Sequence, residues 1–120
     1  MKAWIDEVNR AMVEVQVANH VKAQRQSIPA WIDTAFDGHL VMPRSEIEKL
    51  DLAVLADTDA VLADGSTARL RCYYCVVDWM DQVVPVQVVE NLGSLPLIGT
   101  ALLSLVDLRI NYRTRVCTLT

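Results

Sequence analysis

The residues best suited to chemistry are Asp33 and Thr34, in the stretch AWIDTAFDGHLVMP, residues 30–43. They follow the apolar pair Trp31-Ile32 and precede Ala35-Phe36, Asp37-Gly38 and the apolar run Leu40-Val41-Met42. A carboxyl group at the end of an apolar run is expected to be partly buried. Burial is costly for a carboxylate unless it is paired or hydrogen-bonded, and it perturbs protonation. The stretch is therefore either a structural turn or a place where a carboxyl group exchanges protons. Acid–base work by carboxyl groups is best done by two of them close together. Like charges at that distance cannot both ionise, so the pair shares one proton. The ionised member can then take a proton while the protonated member gives one or donates a hydrogen bond.

Other residue patterns compete for a chemical role. Asp57-Thr58 is a second Asp-Thr pair, but Asp59 follows it, and the group reads as a solvated turn. Cys72-Tyr73-Tyr74-Cys75 has the C-x-x-C spacing of zinc and redox sites. It falls in a strand-like run, where residues three apart point to opposite faces. No second pair exists and the only histidines are His20 and His39, so no metal is expected and the cysteines read as semi-buried structural residues. The third, Cys117, makes the count odd, which argues against a disulfide framework. His39 follows the Asp-Thr loop, but no Ser or Cys nucleophile is spaced to use it as a base. Trp31 and Trp79 read as core or interface residues. Arg69, Arg71, Arg109, Arg113 and Arg115 fall mostly at alternating strand positions, a solvated face.

The chain that must position these groups has 120 residues, enough for one domain with one core. It is 52% hydrophobic and rich in Val, which excludes disorder and favours strands. A net charge of −4 argues against nucleic-acid binding, which normally uses a basic stripe. The N-terminal MKAWIDEVNR carries charges where a secretory signal needs an apolar segment. The uncharged run from Asn91 to Val106 is too short to span a membrane and contains Pro96 and two glycines. A cytoplasmic protein without membrane partners is expected. Residues 1–10 precede the first clear strand and read as a possible extension.

The pattern along the chain predicts eight to ten short strands and one or two short helices, with no βαβ units. Val13, Val15 and Val17 alternate with Glu14 and Gln16, the mark of a half-buried strand. IPAWID and HLVMP are further strands. Ser45 to Glu48 has capping-box spacing, which predicts a helix to about Leu52. Ala63-Asp64-Gly65-Ser66 reads as a hairpin tip. LRCYYCVVDW and VVPVQVVE are strands joined by Met80-Asp81-Gln82, and Asn91–Ser94 is a turn. LPLIG is a short strand, TALLSL one or two helical turns, and VDLRI and VCTL a final hairpin around NYRTR. The base expectation is a mostly antiparallel β-barrel or sandwich.

In this order the elements resemble the retropepsin-like aspartic proteases, particularly the small single-domain prokaryotic type. The family signature is an apolar pair before Asp-Thr/Ser-Gly, and later an apolar-apolar-Gly motif. Here these read Trp31-Ile32-Asp33-Thr34-Ala35 and Leu97-Ile98-Gly99. The resemblance spans residues 12–119 and implies an all-β acid-protease barrel with one or two short helices. It implies an aspartic endopeptidase active as a homodimer on polypeptide substrate, without cofactor or metal. One aspartate per chain implies a dyad of two Asp33 residues on a two-fold axis. Thr34 would buttress that dyad. Ala35, Phe36 and Asp37 would line the substrate channel. Ala63, Asp64, Gly65 and Ser66 would form the tip of the flap. Leu97, Ile98 and Gly99 would support the site, Gly99 by leaving room for the Asp-bearing loop. The chain departs from the family at Ala35, where a methyl group replaces a glycine and fits only if φ stays negative. That departure favours an alternative, a non-catalytic dimer holding an extended peptide by strand pairing. A third reading is an unrelated small β-barrel with a chance Asp-Thr turn.

Overall fold

The computed structural model describes residues 1–91 and 93–120. The elements are β1 (Ala3–Ile5), β2 (Ala11–Ala18), β3 (Gln26–Ile32), β4 (Leu40–Pro43), α1 (Arg44–Leu50), β5 (Ala53–Val61), β6 (Thr67–Trp79), β7 (Gln82–Asn91), β8 (Leu97–Ile98), α2 (Thr100–Leu103), β9 (Leu108–Asn111) and β10 (Val116–Leu119). The fold is all-β and mostly antiparallel, with two short helices.

The valine alternation in β2 places Val13, Val15 and Val17 in the core and leaves Glu14 and Gln16 half-exposed. Eight strands form one sheet in the order β1-β2-β3-β8-β4-β7-β6-β5. That sheet also meets itself. β3 runs along one edge of β2, while β1 takes Ala11–Val13 and β6 takes Gln16–Ala18 on the other. Two pairings are parallel, β3 with β8 and β4 with β7, and both join segments far apart in sequence. The apolar interior lies inside this curl. Trp79 is 1% exposed, and its indole N–H donates to the Leu102 carbonyl at 3.1 Å, fastening α2 to the sheet.

Several local expectations are corrected. The capping box does not form. Pro43 occupies the N-cap of α1 without a side-chain hydrogen bond, which puts Ser45 inside the helix. The helix ends at Leu50, because Asp51 turns left-handed at φ 53° and its N–H bonds back to Glu48 and Ile47. Asp57 and Asp59 lie not in a turn but within β5, opposite Arg71 and Arg69 of β6. Their carboxylates stay in solvent, and Asp57 pairs with Arg71 at 3.6 Å and Arg69 at 3.8 Å. Cross-strand opposite charge holds there what the sequence suggested was irregular. Arg113 and Arg115 sit in the β9–β10 turn rather than at strand positions. Residues 3–5 form a strand of the sheet, and Ile5 is buried. This segment is tied to the last hairpin by Arg115, which donates to Asn9 Oδ1 (3.0 Å) and to the carbonyls of Ile5 (3.1 Å) and Asp6 (2.5 Å). The turn expected over Asn91–Ser94 includes Leu92, which lies outside the described residues.

The loop between β6 and β7 is two residues long, since Trp79 and Gln82 form its closing pair. Met80 and Asp81 both have positive φ, 51° and 65°, as a type I′ turn requires, yet neither is glycine. Asp81→Gly is therefore expected to stabilise the protein by about 0.5–1 kcal/mol. Chemical denaturation of wild type and variant measures this directly, and a loss of stability would contradict it.

Candidate active site

β3 delivers Asp33 to the point where its strand ends. The Asp33 N–H donates to the Ile98 carbonyl at 2.9 Å, continuing the parallel β3–β8 pairing by one bond. The side chain is half-buried, and Oδ1 accepts the Ala35 N–H at 3.0 Å. Asp33 makes no ion pair among the described residues, so its carboxylate is held by main chain and remains open to a further partner. Thr34 and Ala35 are exposed. Ala35 is not among the residues with positive φ, so its methyl group imposes no backbone strain.

The loop from Phe36 to His39 is bonded to the segment that follows β8. Gly99 N–H donates to His39 O (2.9 Å), Thr100 N–H to Phe36 O (2.8 Å) and Ala101 N–H to Gly38 O (3.1 Å). The two backbones lie so close that side chains cannot separate them. A Cβ on Gly99 would stand 2.4 Å from Gly38 O, 2.4 Å from Phe36 Cδ2 and 2.7 Å from Phe36 O. Gly99 has an extended backbone, φ −108°, so the requirement is for space rather than conformation. Leu97, Ile98 and Gly99 thus act as a seat for the Asp33 loop.

The loop faces the β5–β6 hairpin across an open cleft of about 670 Å³. Ala35, Phe36 and Asp37 line one side, and Thr58, Ala60 and Leu70 the other. Asp59 and Val61 of the hairpin also line the cleft, while Asp57, Arg69 and Arg71 are exposed outside it. Leu97 also lines the cleft, whereas Ile98 and Gly99 are buried behind the loop. Ala63, Asp64, Gly65 and Ser66 form the exposed hairpin tip beyond the cleft wall. Gly65 has φ +84°, and Leu62 N–H donates to Ser66 O at 2.7 Å. Asp64 Oδ1 accepts both the Ser66 hydroxyl and its N–H, which holds the Asp64 carboxyl below its ordinary range and braces the tip.

Sequence alone does not single out some residues of this region. Gly38 is one: a Cβ there would lie 2.4 Å from the tip of the Phe36 ring. Thr58, Ala60 and Leu70 are others, detectable only as the uncharged phase of the hairpin's alternation. Trp31 is 41% exposed, two residues before Asp33, with the Arg10 guanidinium 5.6 Å from its ring centroid. Arg10 is held in turn by Asp6 at 2.7 Å. The buried tryptophan is Trp79 alone of the two that read as core or interface. Cys72, Cys75 and Cys117 are free and buried, and desolvation pushes the Cys75 thiol to about 11, which keeps it an inert thiol at neutral pH.

No protein-family model and no curated protein sequence matches the chain. Solved structures do. A retropepsin-like aspartic protease from Rickettsia conorii superposes with a TM-score of 0.66 at 15% identity, covering 98% of this chain and 86% of that one. EIAV protease, solved with the inhibitor HBY-793, gives a TM-score of 0.62 at 12% identity, covering 82% of this chain and 89% of that one. The chain therefore has the retropepsin-like fold. Among the described residues, no helix is long and apolar enough to cross a membrane.

The two glycines allow a graded test. Gly99→Ala meets two carbonyl oxygens and is expected to cost about 3 kcal/mol. Gly38→Ala meets only the Phe36 ring and should cost about 1 kcal/mol. Adding Phe36→Ala should relieve the Gly38 variant more than the Gly99 variant. A double-mutant cycle read by denaturant unfolding checks this, and equal relief would refute it.

His39 supplies a pH dependence. Its Nδ1 accepts the Gln87 N–H at 3.3 Å, so the ring is neutral with its proton on Nε2. Burial pushes its pKa below the ordinary 6.5. Above that value both folded and unfolded states are neutral there. As pH falls below about 6.5 the unfolded chain takes up the proton first, so stability declines, by at most about 1.4 kcal/mol per pH unit. Comparing wild type with His39→Gln at pH 7.5 and 5.5 measures this, and the variant should lose that part of the slope.

Proposed function

We propose that the protein is an aspartic endopeptidase that works as a homodimer, with Asp33 from each chain forming the catalytic pair. The observation that carries this reading is the placement of Asp33. Its loop is seated on Leu97-Ile98-Gly99 and faces a long hairpin across a cleft, within a fold shared with aspartic proteases of known structure. One chain supplies one such carboxylate, and its free side has no ionic partner among the described residues. A second copy would bring the other carboxylate. The two would share a proton, the ionised one activating water and the protonated one bonding to the scissile carbonyl oxygen. Thr34, next to Asp33 and exposed, is available to contact the partner. Polypeptide is the fitting substrate, because the cleft is open and walled by a long hairpin along which an extended chain could lie.

Ala35 was the feature that favoured a non-catalytic peptide-binding dimer. Its φ is not positive and its N–H supports the Asp33 carboxylate, so the methyl group meets no backbone strain in this loop. Catalysis is the stronger reading.

The deciding assay is cleavage of an unfolded protein substrate between about pH 4 and 7, where a shared-proton pair is singly ionised. Asp33→Asn is expected to lower the rate by at least about 10³-fold. Wild-type activity should rise more steeply than linearly with protein concentration below the dimer dissociation constant. Undiminished cleavage by Asp33→Asn would rule the mechanism out.

A further inference from the structure

We propose that Phe36 sets the size limit of the subsite beside Asp33, so that the cleft takes peptides with small side chains there and turns away aromatic ones. This rests on reading the cleft as a peptide site and names its substrate class. Phe36 is the only phenylalanine in the chain. It lines the cleft, and its N–H donates to the Asp33 carbonyl at 3.2 Å, so its ring projects from the same turn that carries the carboxylate.

The ring has nowhere to withdraw. Its tip rests on Gly38, where a Cβ would lie 2.4 Å from Cζ and 2.9 Å from Cε1. One edge rests on Gly99, where a Cβ would lie 2.4 Å from Cδ2. Two glycines thus leave a space shaped to a benzyl group and filled by it. The backbone behind is equally fixed, since Phe36 O accepts from Thr100 and Gly38 O from Ala101. A packed wall of this kind does not yield to a bulky ligand without strain. The ring is only half-buried, and its remaining surface faces the cleft opposite the hairpin's Ala60 and Leu70. A substrate side chain entering the cleft beside the loop that carries Asp33 meets that surface.

The test profiles a peptide library, varied at the residues flanking the scissile bond, against wild type, Phe36→Leu and Phe36→Ala. Thermal melting confirms that each protein is folded. Binding of the same peptides to the Asp33→Asn forms is measured in parallel. Wild type should favour Gly, Ala and Ser. Phe36→Ala should shift the preference toward Leu and Phe by about tenfold or more, with Phe36→Leu between them. If Phe36→Ala does not fold, Phe36→Leu, which keeps an apolar filling, decides. Identical size profiles in the folded proteins would overturn the size limit while cleavage kept the protease reading. Size-graded binding without cleavage by wild type would overturn the protease reading and uphold the size limit. Neither binding nor cleavage would overturn both.

Discussion

The structure turns on one close approach, the contact of Gly99 with the loop that carries Asp33. At that point two main chains pass within a distance that excludes even a methyl group, since a Cβ would stand 2.4 Å from a carbonyl oxygen. Backbone hydrogen bonds cross the contact in both directions, from Gly99, Thr100 and Ala101 to the loop and from Asp33 to Ile98. The backbone of the Asp33 loop is thus held by main chain from the facing segment, and the carboxylate by the Ala35 N–H within the loop. Under the proposed function such support matters, because a displacement of about 1 Å can cost on the order of a hundredfold in rate.

The sheet exists to bring those two main chains together. β8 is only two residues long, yet it lies between β3 and β4 and bonds to both. β3 ends at Ile32 with Asp33 immediately beyond, and β4 begins after the loop returns, so β8 is the strut across the loop's mouth. Trp79 locks the helix after β8 to the long β6 strand through its bond to Leu102. β6 then continues outward as one arm of the hairpin that faces the loop. Seat, strut and hairpin are one continuous hydrogen-bonded system, and the cleft is the space it leaves open.

Charge is distributed in keeping with that division. The hairpin carries the exposed charges Asp57, Arg69 and Arg71, with Asp59 at the cleft, and these charges keep an exposed edge strand soluble and unattractive to stray pairing. The inner face carries Thr58, Ala60 and Leu70. The alternation is visible in the sequence, but Asp57-Thr58-Asp59 looks like a turn, because three polar residues in a row resemble a break in a strand. The segment is a strand because it pairs with β6 along its length, and the cross-strand arginines opposite Asp57 and Asp59 match that register.

Much was determined by the sequence itself. Valine alternation specified β2, glycine at position 65 specified the hairpin tip, and the Asp-Thr stretch with its later Leu-Ile-Gly partner pointed to the fold. These are local features, governed by side-chain period and by the backbone freedom of single residues. The parallel partners of β3 and β4, the meeting of β2 with β6, the role of residues 3–5 and the fit of Phe36 between Gly38 and Gly99 were decided only by tertiary structure. Their physical cause is common: each depends on contacts between segments distant in the chain. A residue's own type and spacing state which face it prefers, but not which surface it will meet.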